Sequence, residues 1–123
     1  MTLQRALLVD DDPDIRTIGR LSLANVGGLD VTLASSGLEC LTLARETRPD
    51  VILLDVMMPE LDGPTTLQRL RADPELSSIP VIFLTAKVQR QEIERYRQLG
   101  ARGVISKPFD PMTLPDRVRA LLR

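Results

Sequence analysis

Five short apolar runs, spaced by stretches of helical period, constrain this chain more than any other feature of its sequence. Ala6 to Val9, Val31 to Ala34, Val51 to Leu54, Val81 to Leu84 and Val104 to Ile105 each have the length of a strand. The first, third and fourth are apolar throughout instead of alternating, as strands must be when helices cover both faces of a sheet. Helical patterns fill the gaps: Pro13 to about Asn25, about Leu38 to Thr47, Pro64 to Arg71, about Gln89 to Leu99 and about Pro111 to Leu122. Asp12 is placed to cap the first of these with Pro13 at its first position, and Gly100 suits a left-handed stop after Leu99. Ile15, Ile18 and Ser22, and likewise Leu114, Val118, Leu121 and Leu122, fall on one helical face and are expected to cover the sheet.

Five alternations of strand and helix make a (βα)5 unit, and right-handed crossovers favour an open, doubly wound α/β sheet. The expected architecture is a flavodoxin-like three-layer sandwich with parallel strand order 2-1-3-4-5. At 123 residues and 43% apolar the chain has the size and composition for one core, so a single domain over residues 1–123 is expected. The last helical pattern runs to the C-terminus and leaves no room for an output domain, which points to a stand-alone unit.

With 16 basic and 17 acidic side chains there is no strong overall field to attract nucleic acid or an anionic membrane. No apolar run approaches the roughly 20 residues of a membrane span, and the N-terminus does not read as a signal peptide. A soluble cytoplasmic protein is expected. Cys40 is a single cysteine in an apolar helical stretch and reads as a small buried hydrophobe. Without histidine, no plausible zinc set remains, and any metal must be held by oxygen.

Ligands of open parallel sheets bind beyond the carboxyl ends of the strands. Asp10, Asp11 and Asp12 follow the first strand, Asp55 the third, Thr85 the fourth, and Lys107 the fifth after Ser106. In the expected order the first and third strands are neighbours, so Asp10, Asp11 and Asp55 converge. Like charges in one pocket need a cation, and an all-oxygen donor set suits Mg²⁺. Aspartates in such a run also cap helices, which accounts for Asp12 and Asp14 but not for Asp55, which lies between four apolar residues and Val56-Met57-Met58. Lys107 precedes Pro108, which favours an extended conformation able to project the ammonium over the strand ends.

The fragments Leu7-Leu8-Val9-Asp10-Asp11-Asp12-Pro13, Leu53-Leu54-Asp55-Val56-Met57-Met58-Pro59-Glu60-Leu61-Asp62-Gly63, Leu84-Thr85-Ala86 and Lys107-Pro108-Phe109 resemble the receiver domain of two-component response regulators, over the whole chain. The resemblance implies that Asp55 is a phosphoacceptor and that Asp11, Asp55 and the Met57 carbonyl bind Mg²⁺, with Asp10 helping mainly through water. It also implies that Thr85 and Lys107 hold the phosphoryl oxygens, and that a sensor histidine kinase or histidine phosphotransfer protein is the donor. The protein would then be a signalling phosphoacceptor and not a turnover enzyme. It would relay the change to an unidentified protein target through the fourth helix, fifth strand and fifth helix, without contacting nucleic acid itself.

One departure bears on that relay. Many receivers carry Tyr or Phe three residues before the lysine, where Val104 stands, so a moving ring at that position cannot be the readout. Tyr96, on the fourth helix, reads as a half-buried packing residue. Met57 and Lys87 flank the site. Two other readings are open: a phosphorylation-independent binding module of the same fold, and a haloacid-dehalogenase-like phosphatase using Asp10 and Asp12.

Overall fold

The computed structural model describes residues 2–86 and 89–123. Five strands, β1 (Arg5–Val9), β2 (Asp30–Ala34), β3 (Val51–Asp55), β4 (Val81–Thr85) and β5 (Gly103–Ser106), form one parallel sheet in the order β2-β1-β3-β4-β5. The helices are α1 (Pro13–Leu21), α2 (Gly37–Thr47), α3 (Gly63–Ala72), α4 (Arg90–Gln98) and α5 (Leu114–Leu122). This is the expected doubly wound sandwich. Lys87, singled out beside the site, lies outside the described residues.

The apolar runs work as their composition requires. Every residue of β3 and β4 is buried, and β1 is buried from Ala6 onward. Leu7, Ile52, Leu54 and Phe83 point into one core with Cys40 and Ala44 of α2 and Leu67 and Leu70 of α3. Leu8, Leu53, Ile82 and Leu84 point into a second core with Leu23, Leu114 and Val118. Fully burying one such leucine contributes about 1.5–3 kcal/mol, so the two cores hold the strand ends in register.

Caps set where the helices begin. The Asp12 carboxylate accepts from the N–H of Asp14, Ser36 from Glu39 and Asp62 from Thr65, each supplying a partner to an otherwise unpaired first-turn donor. Gly100, at φ +109°, ends α4 in the left-handed region as expected.

Three expectations need correction. The first helix is α-helical only to Leu21 and continues as a π-helical turn, Ser22–Val26. Ile18 is 42% exposed, because the face turned to the sheet carries Gly19, which packs directly on Leu8. The last helix starts at Leu114 and not at Pro111: the Asp110 side chain accepts from the N–H of Met112 and its carbonyl from Thr113, which turns the chain before the helix begins. Cys40 is fully buried, and burial pushes its thiol pKa up to about 12. No helix among the described residues is long and apolar enough to cross a membrane.

Candidate phosphoacceptor and metal site

The register of β1 on β3 pairs Val9 with Leu54, so the residues that follow, Asp10 just past β1 and Asp55 at the end of β3, lie side by side. On the far side, β4 pairs with β5 and aligns Thr85 with Ser106, next to Lys107. The Lys107 N–H donates to the Thr85 carbonyl at 2.9 Å, extending the ladder by one bond and delivering the lysine to the same edge.

One carboxylate oxygen from each of Asp10, Asp11 and Asp55 lies within 4.8 Å of the others. Asp10 is fully buried and Asp55 is 2% exposed, whereas Asp11 faces solvent. The Lys107 ammonium bridges the two buried acids, donating to Asp10 Oδ2 at 3.1 Å and to Asp55 Oδ1 at 3.0 Å. Asp10 Oδ1 accepts from the N–H of Asp12 at 2.9 Å, and Asp55 Oδ1 from the N–H of Met57 at 3.3 Å. Thr85 is buried at the end of β4. Thus Asp10, Asp11, Asp55 and Lys107 come together, with Thr85 on the strand adjoining Asp55. Met57 is 77% exposed on the loop above Asp55.

The electrostatics are unbalanced in favour of negative charge. Burial raises the Asp55 pKa from 3.8 to about 6; the Lys107 hydrogen bond opposes this, and the charge of Asp10 adds to it. Burial also works against the charge on Lys107, but its hydrogen bonds to Asp55 and Asp10 outweigh it and hold the ammonium pKa above the ordinary lysine value. Among the described residues, three carboxylates facing the Lys107 ammonium make an oxygen-only, electron-rich cradle open to solvent at Asp11. That donor set fits a hard divalent cation.

The loop between Asp55 and α3 is folded tightly over this edge. The Gly63 N–H donates to the Val56 carbonyl at 2.9 Å, and a Cβ on Gly63 would stand 2.5 Å from the Asp55 carbonyl oxygen. The importance of this close approach was not inferred from sequence, although Asp62-Gly63 before a helical pattern is its visible trace. Arg16 was also missed; its guanidinium donates to the Asp10 carbonyl at 2.8 Å. Its signal was an arginine one helical turn beyond an acidic strand end.

Away from the cluster, Tyr96 is only 4% exposed, more deeply buried than its amphipathic character suggested. Its ring meets Phe83 edge to face at 4.8 Å between centroids, and its hydroxyl donates to Glu92 at 3.2 Å. Phe83 in turn pairs in register with Val104.

Residues 6–119 match the response regulator receiver domain. The chain is 42% identical over 121 residues to the DNA-binding dual master transcriptional regulator RpaA of Synechocystis, covering 98% of this chain and 50% of that protein. It is 40% identical over 120 residues to the DNA-binding response regulator MtrA of Mycolicibacterium smegmatis, covering 98% and 51%. The chain therefore spans about half the length of these curated relatives. Among solved structures, the Vibrio cholerae chemotaxis response regulator CheY4 superposes with a TM-score of 0.89 at 31% identity, covering 98% of this chain and 99% of that one.

Proposed function

The chain belongs to the response regulator receiver domain family, and from that premise we propose that Asp55 is the residue that accepts the phosphoryl group. As a receiver domain of two-component response regulators it is a signalling protein and not an enzyme in the usual sense. The observation that carries the assignment is the cluster itself: three carboxylates within 4.8 Å, with one lysine donating to both buried members.

Asp55 is the nucleophile because it combines burial, a neighbouring cation and a position at the centre of the edge, between the β1 loop and β4. At neutral pH, above its raised pKa of about 6, its carboxylate is mostly ionised. One of its oxygens attacks phosphorus in line. The P–N bond of a phosphohistidine breaks, the imidazole leaves, and an aspartyl phosphate forms. Lys107 turns from the Asp55 carboxylate to the phosphoryl oxygens, and Thr85 offers its hydroxyl to the same group. Asp11, Asp55 and the Met57 carbonyl, with Asp10 mainly through water, are the groups assigned to hold Mg²⁺. Bound there, Mg²⁺ supplies positive charge to the oxygens of the group in transfer.

The donor in this reading is a sensor histidine kinase or histidine phosphotransfer protein, and this chain, which has no histidine, is only the acceptor. Movement of Thr85 towards the new charge shifts the balance between two states of the face formed by α4, β5 and α5. The output target is a protein docking there. RpaA and MtrA are DNA-binding regulators about twice as long; DNA contact is not part of the reading for these 123 residues, whose net charge is -1.

Intact-protein mass after incubation with acetyl phosphate tests the assignment. Wild type should gain one phosphoryl group only when Mg²⁺ is present, and Asp55→Asn should gain none. An unmodified wild type would favour a fixed-state binding module of the same fold, and a modified Asp55→Asn would move the acceptor to another carboxylate.

A further inference from the structure

Among the described residues Arg16 makes one polar contact, from Nη1 to the backbone carbonyl of Asp10. Among the described residues no carboxylate lies within ion-pair distance of it. A half-buried guanidinium next to an acidic cluster is therefore spent on a carbonyl. That carbonyl belongs to the peptide joining Asp10 to Asp11, and because a peptide unit is planar and rigid, holding its oxygen also sets the direction in which the chain enters Asp11.

Asp11 needs such help more than its neighbours. Asp10 is held by the Asp12 N–H and Lys107, and Asp55 by Lys107 and the Met57 N–H. The Asp11 carboxylate has no hydrogen-bond or ion-pair partner among the described residues and is exposed, yet one of its oxygens stands within 4.8 Å of those of the other two. Its place in the cluster is set by backbone.

We infer that Arg16 is a positioning residue for the divalent-cation site: it clamps the Asp10–Asp11 peptide so that Asp11 presents its carboxylate to the cluster, and it sets cation affinity without touching the ion. The inference rests on the phosphoacceptor reading for its choice of cation site. Partners one shell removed from a metal typically change its affinity by 10- to 100-fold when lost.

The sign of the effect separates a clamp from a mere charge. A guanidinium beside three carboxylates repels a divalent cation, so if Arg16 acted only through its field, its removal would tighten Mg²⁺ binding. A clamp gives the opposite result. A residue that only supports the fold would lower the melting temperature and leave the affinity of the folded protein unchanged.

The test is calorimetric titration of MgCl₂ into wild type, Arg16→Ala and Arg16→Lys at neutral pH, well below their melting temperatures, alongside Mg²⁺-dependent modification by acetyl phosphate. Arg16→Ala is expected to bind Mg²⁺ on the order of tenfold more weakly, with Arg16→Lys, which keeps a donor, recovering part of the loss. Equal or tighter binding by folded Arg16→Ala overturns the inference, as does a wild type that binds no Mg²⁺. Should Arg16→Ala fail to fold, Arg16→Gln decides by the same sign, since it removes the charge and shortens the donor. A wild type that binds Mg²⁺ in an Arg16-dependent way but takes no phosphoryl group would overturn the phosphoacceptor reading and leave the clamp standing. A phosphorylated wild type matched in affinity by Arg16→Ala would overturn the clamp alone.

Discussion

Asp55 carries a cost that its folded surroundings do not fully offset. Its pKa is raised above the unfolded value, chiefly by burial, so the folded state binds a proton more readily than the unfolded chain between about pH 4 and 6. Stability in the absence of metal therefore falls as pH rises through that window, and the penalty is fully present at neutral pH. Asp55→Asn removes the charge while nearly keeping the shape, and Lys107 retains Asp10 as a partner. Metal-free Asp55→Asn should be more stable than wild type at pH 7.5 by about 1–3 kcal/mol, with the solvent opening at Asp11 favouring the lower end. Near pH 4 the advantage should disappear. Thermal melts at the two pH values in EDTA check this, and equal melting points at pH 7.5 would argue against a strained carboxylate. Asp55 itself was legible in the sequence because a lone acid after four apolar residues has no bland explanation. Arg16 left only a weak trace, an arginine one helical turn beyond an acidic strand end, since its partner is a backbone carbonyl and a residue pattern does not show main-chain acceptors.

The loop from Asp55 to α3 works as one piece with the helix it starts. Asp62 caps α3, Glu60 takes φ +68°, and Gly63 lies against the backbone of Asp55 and Val56. A methyl group on Gly63 would meet the Asp55 carbonyl at 2.5 Å and the Val56 Cα at 2.9 Å, and backbone atoms cannot yield as a flexible side chain can. Gly63→Ala should therefore lift the start of α3 away from the strand end, at a cost of about 1–3 kcal/mol, and slow modification of Asp55 by acetyl phosphate. Denaturant melts and the mass assay measure the two effects; unchanged stability would mean that the helix start adjusts freely. At this scale the sequence was informative about which elements exist and less so about their ends. The apolar runs and helical periodicity located β3, β4 and α2 to within a residue or so. It did not reveal the π-helical turn at Ser22–Val26, where the Ser22 hydroxyl donates to the Pro111 carbonyl and Arg119 donates to the Gly27 carbonyl, because both bonds reach across some 90 residues. The same holds for Ile18: a periodic face shows which residues share a stripe, but Gly19 packing on Leu8 decided the rotation of α1.

Across the whole molecule, the site exists only while the sheet does. Asp10 and Lys107 are 97 residues apart in sequence and meet because β1, β3, β4 and β5 lie in one sheet with helices on both faces. The connection from β1 leads outward to β2 and that from β3 leads the opposite way to β4, which opens the crevice between them. This much followed from the alternation of apolar runs and helical stretches, since parallel strands and right-handed crossovers leave few arrangements. A cation that binds such an edge binds the folded chain and not the unfolded one, so Mg²⁺ should act on global stability. At a hundredfold excess over its Kd it should add about 2.7 kcal/mol, a rise in melting temperature of roughly 10 °C for a domain of this size. The rise should shrink as pH falls through about 6, because a proton on Asp55 then competes for the same oxygen. It should be largely lost in Asp11→Asn, which leaves both buried acids and Lys107 in place. Melting curves at several pH values with MgCl₂, and with KCl at matched ionic strength, separate specific binding from screening. A Mg²⁺ effect no larger than that of KCl would remove the metal from the site, and Lys107, which donates to both buried acids, would remain their counter-charge.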